Sequence, residues 1–102
     1  MARPTNKNTN LTSYHGYDIE TTAEKLIALF PDSYFLENTG EDKTNIDFSL
    51  ETEDGNVFTV YDWKMFRPIS MTETIHFHIG SHSPAISAQA KNELETILNS
   101  KQ

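Results

Sequence analysis

The sequence contains no cysteine, and only four glycines and four prolines among its 102 residues. Without cysteine the chain cannot form disulfides, thiolate metal sites or a cysteine nucleophile. Its length allows one domain. No apolar run approaches the ~20 residues that span a bilayer, and the first ten residues lack the apolar segment of a secretory signal. We therefore expect a cytoplasmic protein without a membrane segment.

Positive charge is also scarce, because 15 Asp and Glu residues face 8 Lys and Arg residues and give a net charge of −7. Nine acidic residues lie between Asp32 and Asp62, where Lys43 is the only basic residue, so this stretch carries −8. Such a charge disfavours direct nucleic-acid binding, which depends on cationic contacts to phosphates. It favours attraction to a basic partner, and it is also typical of a solvated surface.

The first twelve residues differ in composition from the rest of the chain. They are rich in Asn and Thr and show no hydrophobic period. We therefore predict a flexible N-terminal arm over residues 1–12. No repeat or linker divides the remainder, so residues 13–102 are predicted to form a single domain.

Two amphipathic helices are predicted, one near each end of this domain. The first covers residues 22–30, where Thr21 and Glu24 have the spacing of a capping box. The second covers residues 84–99, with Ser83 as its N-cap and a proline at its first position. Each helix has one apolar face that must be buried against another layer.

Four strands are predicted between these helices, at residues 33–37, 44–52, 57–63 and 73–80, with a turn over residues 38–42. Short connections imply that the strands form an antiparallel meander. The inward face of such a sheet needs a cover, which the two helices supply. The predicted fold is thus a two-layer α+β domain with a four-stranded sheet, both helices on one face, and the other face open.

The register of the central hairpin determines which side chains the open face presents. A two-residue loop at residues 54–55 places Leu50 opposite Thr59. A three-residue loop at residues 54–56 places Leu50 opposite Val60 instead. A slip of one residue reverses the direction of every side chain, so the two registers expose different residues.

We prefer the three-residue loop, because it buries the fully apolar side chains of Phe58 and Val60. The same register turns Asp62 inward near the end of the sheet. An isolated buried carboxylate is unfavourable, so Asp62 then needs a bulge or a partner such as Lys64 or Arg67.

Three of the four histidines lie close together in the sequence. Alternation along a strand places His76 and His78 on one face, ~6–7 Å apart. This spacing allows a transition metal, with His82 or Asp62 as a third ligand, but an isolated H-x-H is more often a pair of surface histidines. We therefore expect no metal and no other cofactor. No nucleophile-elbow, P-loop or H-E-x-x-H motif is present, which favours a protein that is not an enzyme.

Aromatic and cationic residues are dense between residues 58 and 67. In the preferred register, Tyr61 and Trp63 share the open face with the two strand histidines. Tyr, Trp and Arg are enriched where proteins bind partners, whereas stacking of nucleic acid is opposed by the acidic residues nearby. The predicted partner-binding residues are Glu51, Glu53, Asp54, Tyr61, Trp63, Lys64, Arg67, His76 and His78.

The segment F-T-V-Y-D-W-K at residues 58–64, followed by F-H-I-G at residues 77–80, resembles a pattern in small uncharacterised bacteriophage proteins. The resemblance implies a phage protein that acts in the cytoplasm of its bacterial host. Many such proteins counter host defence, either by binding a defence protein or by sequestering its nucleotide signal.

Three hypotheses follow. In the first, the protein binds and blocks a bacterial defence protein, such as a restriction, CRISPR or related nuclease, through its acidic and aromatic surface. In the second, it sequesters a nucleotide signal, with Trp63 stacking on a base and Lys64 and Arg67 contacting phosphate. In the third, the strand histidines hold the metal of a hydrolase.

Overall fold

The computed structural model describes residues 1–37 and 44–100. The fold is α+β with an antiparallel sheet and two helices, as predicted, but the sheet has six strands rather than four. The turn predicted over residues 38–42 lies outside the described residues. None of the described helices is both long and apolar enough to cross a membrane. The elements are β1 (Arg3–Pro4), β2 (Ser13–Thr22), α1 (Ala23–Leu29), β3 (Tyr34–Leu36), β4 (Ile46–Glu51), β5 (Val57–Tyr61), β6 (Thr74–Ser81) and α2 (Pro84–Ser100).

The strands are ordered β1-β4-β5-β6-β2, and β3 also pairs with β4. Strands β3 to β6 form the predicted meander. One edge of β4 is taken by β5, so β1 and β3 share its other edge. Strand β1 places Arg3 opposite Glu51, and β3 places Tyr34 opposite Phe48. The first residues of the chain are thereby part of the sheet.

Strand β2 is the element that sequence periodicity did not predict. It pairs with β6 at the far edge of the sheet, where Tyr14 lies opposite Gly80 and Asp18 lies opposite His78. From Tyr14 to Asp18 the chain of β2 advances four residues, while the paired segment of β6 advances only two. This bulge contains Gly16 at φ +90°. The extra residues interrupt the period of two that identifies a strand in a sequence.

The two helices begin close to the predicted positions. Helix α1 is capped by Thr22, whose hydroxyl accepts from the Lys25 N–H at 3.2 Å. The capping box assigned to Thr21 was therefore wrong by one residue. Helix α2 is capped by Ser83 as predicted, because its hydroxyl accepts from the Ile86 N–H at 3.3 Å.

The core is formed by alternate residues of the strands together with residues of both helices. Helix α2 lies against β2, β5 and β6, and α1 contacts β2. Burying one such Leu, Ile or Phe side chain contributes about 1.5–3 kcal/mol. The core cluster includes Leu26, Ile46, Phe48, Leu50, Phe58, Val60, Ile75, Phe77, Ile79, Ala90, Leu94 and Ile97.

The central hairpin has a register that differs from both predicted ones. Leu50 lies opposite Phe58, and the three-residue loop occupies residues 53–55. It is closed by the Thr52 N–H, which donates to the Asn56 carbonyl at 2.9 Å, and the loop glycine has φ +84°. Because the pairing differs from the preferred register by two residues, each side chain keeps the face predicted for it.

Asp62 is fully buried at the end of β5, as the preferred register predicted. Its Oδ1 accepts from the backbone N–H groups of Asn45 at 2.6 Å and Ile46 at 3.0 Å. Its Oδ2 accepts from the Asn45 side-chain amide at 2.9 Å. The predicted partners Lys64 and Arg67 were wrong, since neither forms an ion pair with Asp62 in the described structure. The carboxylate instead joins the start of β4 to the end of β5.

Candidate functional site

The face of the sheet opposite the core, here called the outer face, carries one aligned row of side chains. Phe35 lies opposite Asp47, and Asp47 lies opposite Tyr61. Tyr61 lies opposite His78, which in turn lies opposite Asp18. The sequence neighbours of Asp47, Tyr61 and His78 are buried, so alternation directs these three side chains away from the core. At ~4.8 Å per strand the row crosses five strands over about 19 Å.

Four rings meet where Tyr61 and His78 lie side by side in this row, and they form what we call the aromatic cluster: Tyr14, Tyr61, Trp63 and His78. The His78 and Tyr14 rings are stacked, with centroids 3.9 Å apart and planes at 15°. Tyr61 contacts the His78 ring edge-on at 5.6 Å, and Trp63 lies 6.1 Å from it. Each such pair contributes about 0.5–1.5 kcal/mol. Tyr14 is still 42% exposed and Trp63 is 38% exposed.

The backbone of β2 and β6 makes this cluster possible. The bulge in β2 brings Tyr14 back to the same face as His78. Opposite Tyr14, Gly80 leaves space on the outer face. A Cβ atom at Gly80 would lie 2.7 Å from the Thr59 hydroxyl oxygen and 3.4 Å from the Tyr61 ring. A residue with a side chain at this position would therefore displace part of the cluster.

Acidic groups lie beside the polar atoms of Tyr14 and His78. The Tyr14 hydroxyl donates to Asp18 Oδ1 at 2.7 Å, and this hydrogen bond raises the pKa of Tyr14 above 10.0. His78 Nε2 lies 4.0 Å from the same oxygen. Nearby, His76 Nε2 lies 2.9 Å from Glu20 Oε2. The outer face around the cluster is therefore acidic.

The loop that follows β5 contributes Trp63 in an unusual backbone setting. Lys64 has φ 53° and Phe66 has φ 52°. This left-handed conformation is unfavourable by about 1–2 kcal/mol per residue for such side chains. The Lys64 ammonium lies 5.5 Å from the centre of the Trp63 ring, and Phe66 is 59% exposed. Strain of this kind concentrates where loops present binding groups.

The acidic residues predicted from the hairpin turn lie at the other end of the outer face. Glu51 is only 7% exposed, and its Oε2 lies 2.7 Å from Arg3 Nη2 and 3.4 Å from Lys7 Nζ. These contacts hold residues 1–7 against β4, with Ala2 buried. The predicted flexibility of the arm stays a prediction. The charge of Glu51 is balanced within the chain.

Glu53 and Asp54 remain on the surface of the turn. Glu53 Oε1 lies 3.3 Å from the N-terminal ammonium group, and Asp54 accepts from the Gln89 side chain at 3.1 Å. Tyr61 is six residue steps from the end of the turn, which corresponds to about 20 Å along a strand. The predicted partner-binding residues therefore fall into two separate regions.

Arg67 is bound by a neighbour in its own loop. Its Nη1 and Nη2 donate to the two carboxylate oxygens of Glu73 at 2.9 and 2.6 Å. The guanidinium group and the Ser70 N–H lower the pKa of Glu73 to about 2. This arrangement neutralises the cation that the nucleotide hypothesis assigned to a phosphate.

The three histidines proposed as metal candidates do not converge. His76 and His78 lie on the outer face of β6, whereas His82 follows the end of that strand. Asp62, the other candidate ligand, is buried on the core side. Across residues 1–37 and 44–100, no group of three or more His, Asp or Glu side chains is placed to hold a metal ion.

Four outer-face residues were not among the predicted partner-binding residues: Tyr14, Asp18, Phe35 and Asp47. The first two belong to the unpredicted strand β2. Asp47 lies between apolar residues in the predicted strand 44–52, but nothing in the sequence distinguishes it from a solvated strand residue. The sequence did contain a pattern that could have identified Phe35. The predicted strand at residues 33–37 has three consecutive large side chains, and alternation must direct at least one of them away from the core.

No family model matches the chain, and neither a curated protein nor a solved structure matches it. The geometry of the outer face and the sequence pattern are therefore the observations that bear on function.

Proposed function

We propose that this protein is a small interaction protein that binds a basic partner protein through its outer face and blocks that partner. The aromatic cluster is the observation that carries this proposal. Tyr14 and Trp63 expose large ring surfaces that are already held in place by stacking. Rigid, partly exposed aromatic side chains contribute binding energy with little loss of conformational entropy.

We also infer that both helices cover the opposite face of the sheet. Residues of α1 and α2 join one core cluster with the inward residues of β4, β5 and β6. The residues of the outer row alternate with these inward residues. In this arrangement the outer face is left for a partner.

The charges around the aromatic cluster support a basic partner. Asp18, Glu20 and Asp47 lie on the outer face beside the rings. A positively charged surface complements this field, and complementary charge accelerates association and aligns the partner. The same acids disfavour a phosphate group, so the nucleotide hypothesis has less support.

The resemblance to phage proteins supports a bacterial defence protein as the partner, in the host cytoplasm. Restriction, CRISPR and related nucleases bind nucleic acid, and the surfaces that do so are basic. An acidic protein bound to such a surface would compete with the nucleic acid. Blocking by occupation requires no catalytic residues of its own.

Plaque formation can test this proposal. Bacterial strains that each carry one nuclease-based defence system are infected with a phage that the system restricts, with and without expression of the protein. We expect expression to restore plaques on a strain carrying the target system. The double variant Tyr14→Ala/Trp63→Ala should lose at least tenfold in affinity, or about 1.4 kcal/mol of binding, and with it most of the rescue.

Leu11→Ala is a suitable control, because Leu11 is an apolar residue that is 92% exposed and lies outside the cluster. It should rescue plaques as well as the wild type. A folded double variant that rescues fully would show that the outer face is not the binding surface. Failure of the wild type on every strain would reject the inhibitor function.

A further inference from the structure

Asp47 lies at the centre of β4 with an aromatic residue on each neighbouring strand. Phe35 on β3 and Tyr61 on β5 are its direct partners across the sheet. Neighbouring strands lie ~4.8 Å apart, so a group that contacts the Asp47 carboxylate also reaches both rings. Phe35 is 63% exposed and open to such a group.

The Asp47 carboxylate differs from the other acids of the outer face. Asp18 accepts from a tyrosine hydroxyl, and Glu20 pairs with a histidine. Glu51 is paired with both basic residues of the N-terminal segment. Within residues 1–37 and 44–100, no group forms a hydrogen bond or an ion pair with the Asp47 side chain. It is the acid on this face that the described chain leaves without a partner.

The surroundings of Asp47 make its unpaired charge unfavourable. The side chain is half-buried, and this burial raises the pKa of Asp47 above 3.8. The charge of Asp62 raises it further. The N–H groups of Asn45 and Ile46 donate to Asp62 and not to Asp47, so they do not stabilise the Asp47 carboxylate. A carboxylate in this state gains more from an incoming cation than a freely hydrated one does.

We propose that Asp47, Phe35 and Tyr61 form a subsite for an arginine side chain of the partner protein. The guanidinium group pairs with the carboxylate of Asp47 while its plane stacks on the exposed Phe35 ring. Arginine suits this subsite better than lysine, because its planar group both pairs with carboxylates and stacks on aromatic faces. This inference rests on the proposed function, since it names the partner group that the outer face recognises.

The subsite can be tested without the partner protein. Nα-acetyl-arginine amide is titrated into the ¹⁵N-labelled full chain at pH 7, and amide shifts are followed by NMR. We expect saturable shifts at residues 34–36, 46–48 and 60–62, with a Kd on the order of millimolar. The citrulline analogue has the same shape without the charge and should give no saturable shift. The lysine analogue should bind several-fold more weakly.

Variants assign the binding to the subsite. Asp47→Asn removes the charge with little change in size and should raise the Kd at least tenfold, whereas Asp47→Glu should retain part of the affinity. Phe35→Ala should raise the Kd several-fold through loss of stacking. Glu95→Gln is the control, since it removes one negative charge from an exposed residue of α2, outside the outer face, and it should leave the Kd within twofold of the wild type.

The possible results separate this inference from the proposed function. Arginine shifts that survive Asp47→Asn, or that the citrulline analogue reproduces, would overturn the subsite even if the outer face still blocks its partner. If arginine binds at Asp47 but Asp47→Asn rescues plaques like the wild type, the subsite exists and its role in blocking is rejected. Loss of both arginine binding and rescue in Asp47→Asn supports the inference in full.

Discussion

The two ends of the β4–β5 hairpin both carry acidic residues on the outer face, but these residues differ in whether a basic group is paired with them. At the turn end, Glu51 is enclosed by Arg3 and Lys7. At the other end, Asp47 lies between two aromatic residues without a described partner. Net charge alone therefore does not locate a binding surface. An acid that residues 1–37 and 44–100 leave without a partner, beside exposed rings, is the better guide.

The largest effect is expected at the residue that anchors the aromatic end. Asp62→Ala removes a buried carboxylate that accepts three hydrogen bonds, so the backbone N–H groups of Asn45 and Ile46 lose it as an acceptor. We expect a loss of about 3–5 kcal/mol in the free energy of unfolding, measured by urea denaturation. Asp54→Ala, on the exposed turn, should change it by less than about 0.5 kcal/mol. Equal effects of the two variants would show that Asp62 does not anchor this end.

Gly80→Ala tests how closely the cluster is packed. The new methyl group would meet the Thr59 hydroxyl, so we expect a loss of about 1–3 kcal/mol and a weaker near-UV circular dichroism signal from the rings. The double variant Gly80→Ala/Thr59→Ala lacks the obstructing hydroxyl and should recover part of the stability and part of the circular dichroism signal. If Gly80→Ala alone leaves stability and spectrum unchanged, the close approach of these strands is not required.

The two acids should respond to pH in opposite directions. Hydrogen bonds from Thr5 and Lys7 and the charges of Arg3 and Lys7 lower the pKa of Glu51 below 4.5, so its contribution to stability is present above that value and is lost as pH falls. The raised pKa of Asp47 gives a contribution that is present below 3.8 and is lost as pH rises through the folded-state pKa.

Urea denaturation of two variants between pH 3 and pH 7 measures this difference. Glu51→Gln should be less stable than the wild type at pH 7, and the gap should close toward pH 3. Asp47→Asn should equal or exceed the wild type at pH 7 by up to about 0.5 kcal/mol, and that gain should vanish in acid. If the stability of both variants relative to the wild type changed with pH in the same direction, Glu51 and Asp47 would not differ as described.

The smallest effect is expected from the N-terminal segment. Arg3→Ala removes one ion pair of Glu51 while Lys7 remains, and the Arg3 side chain is 49% exposed. We expect a loss of about 0–1 kcal/mol that becomes smaller in high salt. A larger loss that persists at 1 M salt would indicate that Arg3 acts through packing rather than charge.

Elements with strong local signals were predicted from the sequence. The cap and apolar stripe of α2, and the alternation in β4 and β6, depend on neighbours in the chain and are visible without a structure. Strand β2 was not predicted, because its bulge at Gly16 breaks the alternation. Strand β1 covers only two residues, which is too short for any period.

The candidate site was predicted in part for the same reason. Tyr61 was placed outward correctly, because the error in the hairpin register was an even number of residues, and the Trp63 ring lies beside it just past the end of β5. Tyr14 and its stack on His78 depend on β2, so periodicity could not reveal them. The balance of Glu51 by the N-terminal segment required contacts between residues nearly fifty positions apart, which no local pattern encodes.

The pairing of β4 with two short strands has a consequence for self-association. Long, flat edge strands act as templates on which other chains add and aggregate. Here one border of the sheet ends in strands of two and three residues, and the other border carries the bulge of β2. Within the described residues, the short strands and the bulge reduce the length of regular ladder that either border offers to another strand. Such a sheet can expose rings on its face and still resist fibril growth along its edges.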